Sequence, residues 1–220
     1  MKVIKLNELL TKFLSRLEPI DRNGVVLLDR ITIIGCGGVG SWVGIMLSLL
    51  LCPNTDLILI DPDKVEPENM NRLPYPLQFF IKKLNKAEAL GKYIALIRPQ
   101  INVMPIAKKY EELSETEKAE IQKSTVIIET TDSPLSQEKI YKDVEEWKKP
   151  VVAGHYDGKH LTVKYHPKGR LGNSWTLNYN EGYEVIPSYP TIAILTASLT
   201  TELAIRRPIE PVLISLDIKP

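Results

Sequence analysis

Apolar residues occur along the chain in two arrangements: short continuous runs, and longer stretches in which they recur every three or four positions. The continuous runs predict strands at 31–34, 57–60, 101–106, 125–129 and 151–153. The periodic stretches predict helices at 41–51, 86–98, 114–123 and 134–148. Strands that alternate with helices and are apolar on both faces are typical of a parallel sheet between two helical layers. The pattern therefore predicts an α/β fold with a mainly parallel, twisted sheet and helices on both faces.

The pattern differs at the two ends of the chain. Residues 6–17 predict an amphipathic N-terminal helix. After Gly154 we predict an exposed strand at 161–165, followed by an irregular stretch at 167–190. A helix at 191–205 and a last strand at 211–218 complete the predicted order. The two C-terminal strands should extend the sheet in antiparallel fashion. We interpret residues 1–220 as one domain. It has a helical extension at 1–30, a core at 31–155 and a C-terminal part at 156–220.

Composition and hydropathy narrow the possible functions. The 220 residues include 28 Lys and Arg against 27 Asp and Glu, so no general positive charge is available and we predict no nucleic-acid partner. Hydrophobic residues at 44% and charged residues at 25% are typical of folded, soluble domains. The N-terminus lacks the apolar core of a signal peptide, and the longest apolar stretch, 42–52, is shorter than the roughly 20 residues that a membrane span needs. We expect a cytoplasmic protein without a membrane segment.

Cysteine and histidine chemistry has little support in the sequence. Two cysteines, Cys36 and Cys52, can supply neither the four thiolates of a structural zinc site nor a CxxC redox pair. We interpret both as packing residues. The three histidines, His155, His160 and His166, do not have the spacing of helical metal ligands. His155 follows a predicted strand and is expected to border a substrate cleft.

A glycine-rich loop lies between the first predicted strand and the first predicted helix. Gly35, Gly37, Gly38 and Gly40 satisfy GxGxxG in the context in which such loops bind phosphate, because the following helix presents unpaired N–H groups and partial positive charge. Asp61 ends the second strand about 20 residues further on, where a carboxylate can accept hydrogen bonds from a ribose. Glycines also mark sharp turns without any ligand. With strand, helix and acid all in place, the arrangement predicts a nucleotide-binding core.

Four motifs follow one another in an order that resembles the ThiF/MoeB/HesA family, the prokaryotic relatives of ubiquitin-activating enzymes. They are GCGGVGS at 35–41, DPDKVEPENMNR at 61–72, Lys86-Ala87 and Thr131-Asp132. The resemblance covers residues 31–155 and, more weakly, the helix at 191–206. It implies a Rossmann-like fold, ATP and Mg²⁺ as cofactors, and a homodimer. It also implies ATP-dependent adenylation of a carboxylate, most often the C-terminal glycine of a ubiquitin-like or sulfur-carrier protein.

The residue types in these motifs suit that chemistry. Attack on the α-phosphate of ATP builds negative charge, which Arg72 and Lys86 can stabilise. Asp132, after a strand end, can hold Mg²⁺. We therefore expect Arg72, Lys86 and Asp132 to be catalytic. The expected nucleotide ligands are these three residues with Gly35, Gly37, Gly38, Gly40, Asp61, Asp63 and Asn69.

Each of these residues also has a purely structural interpretation. Arg72 could be a surface cation beside Glu66 and Glu68, and Lys86 a solvated residue in the first turn of a helix. Asp132 could cap the helix that begins at 134. Asp63 and Asn71 could close their turn through bonds from side chain to backbone.

The sequence departs from the family pattern in two respects. Many members carry a catalytic cysteine in their second half, but here no cysteine follows Cys52. The reaction would then stop at the acyl-adenylate, pass it directly to a nucleophile bound elsewhere, or use a partner that supplies the thiol. Family dimers often donate an arginine across the interface, and Arg16, Arg22 or Arg30 could do so, with Arg22 preferred. Aromatic residues of the irregular stretch could grip a peptide tail or form a small core of their own: Trp175, Tyr179, Tyr183 and Tyr189.

Two other functions stay open at this point. One is an ATP-dependent enzyme that acts on a small molecule or on a transfer-RNA base. The other is a nucleotide-binding, non-catalytic partner subunit. A complete set of Arg72, Lys86 and Asp132 argues against the second function, because a scaffold has no evident need for it.

Overall fold

The structure is a computed structural model that describes residues 28–51, 54–157, 160–171 and 188–217. The strands are β1 (Arg30–Ile34), β2 (Asp56–Ile60), β3 (Asn102–Ile106), β4 (Val126–Glu129), β5 (Val151–Tyr156), β6 (His160–His166) and β7 (Val212–Asp217). The helices are α1 (Gly38–Leu50), α2 (Leu77–Ile81), α3 (Lys86–Ile97), α4 (Glu115–Gln122), α5 (Pro134–Trp147) and α6 (Pro190–Arg206). Short 3-10 turns lie at Pro67–Asn69 and Tyr110–Glu112. Several predictions concern residues outside the described ranges: the helix at 6–17, Arg16, Arg22, Cys52, Trp175, Tyr179 and Tyr183.

The described strands form one seven-stranded sheet in the order β3-β2-β1-β4-β5-β6-β7. Strands β1 to β5 pair in parallel, and β6 and β7 are added antiparallel to them. The predicted fold class is therefore confirmed. In the register, Ile34 lies beside Ile60 on one side and beside Glu129 on the other. The carboxyl ends of β1, β2 and β4 consequently meet at one edge of the sheet.

Side chains of β1, β2, β4 and β5 are buried on both faces, whereas the edge strand β3 is largely exposed. Ile31 and Ile33 of β1 pack into a cluster with α1, α3 and α6, whereas Ile34 packs into a second cluster with α5. Strand β2 divides its side chains in the same way. The continuous apolar runs in the sequence thus reflect helices on both sides of the sheet. None of the helices in the described ranges combines the length and the apolar character required to cross a bilayer.

The strand predicted at 161–165 is present as β6, but the prediction that it is exposed is wrong. Leu161, Val163 and Tyr165 of β6 are buried, with at most 2% of their surface exposed. Helix α6 packs on this face, and β7 pairs with the outer edge of β6. The alternation with Thr162 and Lys164 suggested a half-exposed strand, because the sequence does not reveal that α6 returns to cover it.

Candidate functional site

A cavity of about 460 Å³ opens at the carboxyl ends of β1, β2 and β4. Strand β1 lies between β2 and β4, so the strand order reverses here, and ligands of open α/β sheets bind at such a point. The volume is within the range of small-molecule sites. Of the residues singled out from the sequence, the wall contains Gly35, Gly37, Gly38, Asp61, Asp63, Arg72, Lys86, Asp132 and His155. The structure therefore brings together side chains that are far apart in the sequence.

Two glycines of the loop are required by close packing. Gly35 has a φ of +92°, and a Cβ there would lie 2.7 Å from the carbonyl carbon and oxygen of Thr130. A Cβ on Gly40 would lie 1.8 Å from the carbonyl oxygen of Gly35. Gly37 is different, because no atom of the described residues other than Gly37 and its two chain neighbours lies within 4 Å of its Cβ position. The loop thus combines a tightly packed turn with an open backbone surface that faces the cavity.

Arg72 lies against the cavity side of this loop. A Cβ on Gly38 would lie 3.2 Å from Cδ of Arg72. Nη1 of Arg72 donates to the carbonyl oxygen of Glu68 at 3.1 Å and to Oδ1 of Asn71 at 2.9 Å. Asn71 in turn donates from Nδ2 to the carbonyl oxygen of Ser188 at 2.9 Å. These contacts hold the guanidinium in the wall beside the glycine loop, and they give Asn71 a bridging role that its sequence position did not reveal.

Lys86 enters the cavity from the first turn of α3. Asn85 caps this helix by accepting hydrogen bonds from the backbone N–H groups of Ala87 and Glu88. The Lys86 ammonium lies 2.9 Å from Oδ2 of Asp63. Burial disfavours the charged form of Lys86 and lowers its pKa. The negative charges of Asp61 and Asp63 favour the charged form more strongly, so the pKa of Lys86 is raised above its ordinary value. Lys86 is therefore a fixed positive charge in the wall and not a solvated surface residue.

Asp61 connects the end of β2 to the glycine loop. Its carboxylate accepts hydrogen bonds from the backbone N–H of Cys36 at 2.6 Å and from that of Asp63 at 2.9 Å. Only 5% of Asp61 is exposed. Burial raises the pKa of Asp61 to about 6, while the positive charge of Lys86 opposes this shift. A carboxylate has about four lone-pair positions, so both oxygens can accept a further bond from a ligand hydroxyl.

The carboxyl resonance of Asp61 should titrate with a midpoint near 6 in a carbon-13 NMR titration. Replacing Lys86 by Met should raise this midpoint further, because the charge that favours the ionised form is lost. Replacing the exposed Lys82 by Met should leave it unchanged. A midpoint near 4 in the unaltered protein would contradict the burial described here.

The raised pKa of Asp61 also makes the free energy of unfolding depend on pH. The folded-state pKa of Asp61 lies above the unfolded value of 3.8, so the folded protein binds more protons between about pH 4 and pH 6. The contribution of this group to the free energy of unfolding therefore falls as pH rises through that window.

Asp132 lies in the cavity wall after the end of β4. The interpretation of Asp132 as the cap of the following helix is wrong. Ser133 caps α5, since its side chain accepts a hydrogen bond from the backbone N–H of Ser136. Asp132 itself is exposed and contributes negative charge near Lys86. Its carboxylate is thus available to the cavity.

A buried polar cluster beneath Asp132 was not predicted. Glu129 is fully buried, and its carboxylate accepts hydrogen bonds from the hydroxyl of Tyr141 at 2.9 Å and from the backbone N–H of Thr131 at 2.7 Å. Nε2 of His155 lies 3.1 Å from the same carboxylate. The available signal was a glutamate that ends an apolar strand, but it indicated only a strand end.

Three residues that the sequence suggested for the site are not among the described residues that line the cavity. Gly40 packs against the loop, and Asn69 accepts a hydrogen bond from the backbone N–H of Glu66 at 3.1 Å, which closes a turn. Arg30 pairs with Asp56 at the opposite end of β1.

Cys36 is buried within the loop, and burial raises the pKa of its thiol well above the ordinary value. Its environment is that of a packing residue.

A protein-family model and several curated proteins match part of this chain. The ThiF family model matches residues 24–184. Ubiquitin-like modifier-activating enzyme 5 of Aedes aegypti is 39% identical over 99 residues, which is 41% of this chain and 23% of that protein. Its counterpart in Caenorhabditis elegans is 41% identical over 96 residues, or 40% of this chain and 22% of that protein. The matched segment thus spans less than a quarter of these curated relatives.

Two solved structures share the fold at low sequence identity. PaaA superposes with a TM-score of 0.73 at 17% identity and covers 98% of this chain and 82% of its own. MccB of E. coli, solved with ATP, superposes with a TM-score of 0.63 at 19% identity and covers 88% of this chain and 63% of its own.

Proposed function

Because the chain belongs to the ThiF family, we propose that it is an adenylyltransferase that uses ATP to activate a carboxylate. One observation carries the proposal: a single cavity at the switch point of the sheet contains the glycine loop, Arg72, Lys86 and Asp132. Two cations and a free carboxylate beside an open glycine backbone suit phosphate chemistry. A site for hydride transfer would not need this set of charges.

The proposed reaction is a displacement at the α-phosphorus of ATP. A bond forms between a carboxylate oxygen of the substrate and this phosphorus, and the bond to the bridging oxygen breaks. The electron pair leaves with pyrophosphate. No proton has to be moved, since the attacking carboxylate is ionised at neutral pH. The work of the protein is therefore to position the groups and to stabilise negative charge.

The wall residues divide this work by their chemistry. Arg72 can donate two parallel hydrogen bonds to phosphate oxygens, and Lys86 provides a compact point charge. The N-terminus of α1 opens at Gly38 and directs backbone N–H groups towards a phosphate. Asp61 and Asp63 are proposed to bind the ribose side of the nucleotide. The structure gives no support for direct contact from Gly40 or Asn69, so we propose that they shape the loop and the turn.

The residues present also fit a magnesium ion. Mg²⁺ in nucleotide sites is usually bound by one or two carboxylates together with substrate phosphates. Asp132 is an exposed carboxylate in the wall and is proposed as its protein ligand. When bound, the ion would neutralise part of the phosphate charge, in addition to Arg72 and Lys86.

The proposed substrate is the C-terminal glycine of a ubiquitin-like or sulfur-carrier protein, because the curated relatives are named for activating ubiquitin-like modifiers. A flexible C-terminus is also a carboxylate that can reach into an open cavity. No cysteine follows Cys52 in the given sequence. We therefore propose that the acyl-adenylate passes to an acceptor bound elsewhere or to the thiol of a partner. A homodimer is part of the same proposal.

An ATP–pyrophosphate exchange assay with purified carrier proteins tests this function. We expect exchange that requires a carrier with a free C-terminal glycine and that stops when the terminal residue is removed or amidated. Exchange with small carboxylates alone would indicate a small-molecule enzyme. ATP binding without exchange under any of these conditions would indicate a non-catalytic partner subunit, and it would overturn the proposal.

A further inference from the structure

Buried side chains hold both backbone polar groups of Thr131, the residue before Asp132. The Thr131 N–H donates to Oε1 of Glu129 at 2.7 Å. The Thr131 carbonyl oxygen accepts from Nε2 of Gln137 at 2.7 Å. Glu129 and Gln137 are 0% and 1% exposed. The peptide units on either side of Thr131 are therefore fixed from below by two side chains that do not belong to the cavity wall.

The carboxylate of Glu129 is itself held in one position. Tyr141 donates its hydroxyl to Oε2 at 2.9 Å, and Nε2 of His155 lies 3.1 Å from the same oxygen. A fully buried carboxylate is costly unless several donors satisfy it. Here the Tyr141 hydroxyl and the Thr131 N–H donate to it and the His155 imidazole lies beside it, so groups from three segments meet at this carboxylate beneath the cavity. The arrangement gives Thr131 a rigid anchor.

Gln137 keeps its position at a cost in stability. Its Oε1 atom is buried and has no hydrogen-bond partner in the described part of the chain. An unsatisfied buried carbonyl destabilises a fold, and an apolar side chain of similar length would remove that penalty. Its Nε2 atom donates to the Thr131 carbonyl oxygen at 2.7 Å and lies 3.3 Å from Nε2 of His155. The shorter of these two contacts holds the Thr131 carbonyl oxygen, so the amide of Gln137 acts mainly on the backbone of Thr131.

We propose that Gln137 and Glu129 are positioning residues that direct Asp132 into the cavity through the backbone of Thr131. This inference rests on one part of the proposed function, namely that Asp132 is the protein ligand of magnesium. Neither side chain belongs to the cavity wall. Residues that orient a metal ligand from behind typically change metal affinity or activity by roughly 10- to 100-fold when they are replaced.

Replacing Gln137 by Met tests the proposal, because the volume is nearly conserved while the amide is lost. We expect the melting temperature of the ligand-free variant to stay close to that of the unaltered protein, because the unpaired Oε1 is removed while the Thr131 carbonyl oxygen loses its donor. We also expect magnesium to strengthen ATP binding about tenfold less than in the unaltered protein, whereas ATP affinity in EDTA stays the same. Gln122→Met, at an exposed position that ends α4, is the matched control and should change neither quantity.

A double substitution distinguishes positioning from a general structural role. In the background of Asp132→Asn, Gln137→Met should have no further effect on the magnesium dependence, because both changes act through one ligand. A lower melting temperature with unchanged magnesium dependence would overturn the proposal, and so would an effect that persists without Asp132. If the unaltered protein binds ATP equally well with magnesium and with EDTA, the inference is also wrong. All of these are binding and melting measurements, so absence of pyrophosphate exchange would refute the proposed function and leave this inference standing.

Discussion

Substituting Met for Lys86 should slow ATP–pyrophosphate exchange roughly 100-fold or more, the usual cost of removing a group that stabilises transition-state charge. The ammonium of Lys86 is fixed beside Asp63 and feels the charges of Asp61 and Asp132. Met has a similar length and no charge, so the change removes mainly the electrostatic contribution. The rate of exchange at saturating ATP and carrier is the quantity to measure.

Lys82→Met is the control for this substitution, since Lys82 is exposed and lies outside the cavity wall. It should leave the exchange rate within about twofold of the original, because isolated surface charges contribute little. Unchanged exchange in Lys86→Met would remove Lys86 from the mechanism. A loss that came entirely from weaker ATP binding, with an unchanged maximal rate, would assign Lys86 to ground-state binding instead.

Replacing Gly40 by Ala should destabilise the protein by about 3 kcal/mol or more, at the upper end of the usual cost of overpacking. The added methyl group would lie 1.8 Å from the carbonyl oxygen of Gly35 and 2.7 Å from Oγ1 of Thr130. Backbone atoms cannot move aside as a flexible side chain can, so α1 would have to shift away from the loop. Urea denaturation monitored by circular dichroism would report the loss as a lower midpoint.

Gly37→Ala is the matched control in the same loop. Apart from its two chain neighbours, no described residue has an atom within 4 Å of its Cβ position, and its φ of −79° suits any residue. The free energy of unfolding should therefore change by less than about 1 kcal/mol. The methyl group would face the cavity, so ATP binding should still weaken. Equal destabilisation by Gly37→Ala and Gly40→Ala would contradict the packing described here.

The elements of the core could be predicted because their signals are local. The apolar run at 31–34 forms β1, and the periodic stretch at 86–98 forms α3 with Asn85 as its cap. Helix α2, Leu77–Ile81, was missed because five residues are too few to show a helical period. The burial of β6 was also missed, because it depends on α6, which follows more than twenty residues later in the chain.

The candidate site was predictable to the extent that its residues stand next to strand ends. The positions of Asp61, Asp132 and the glycines follow from motifs placed after β1, β2 and β4, whose carboxyl ends meet at one edge, whereas Lys86 begins α3 and was indicated by its motif alone. Asn69 belongs to the same motif, yet its side chain closes a turn. A motif specifies the type and order of residues, but the direction of each side chain depends on neighbours that the motif does not contain.

The sequence by itself determined the alternation of strands and helices, the glycine loop at the first turn, and the family to which the chain belongs, because each of these depends on short-range patterns. Only the tertiary structure decided that Asp61 is buried with a raised pKa, that Ser133 and not Asp132 caps α5, and that Glu129 and Gln137 hold the turn before Asp132. Burial and hydrogen bonding at these positions arise where segments distant in the chain pack together. That packing sets the local dielectric environment and the available donors, which no single segment can specify.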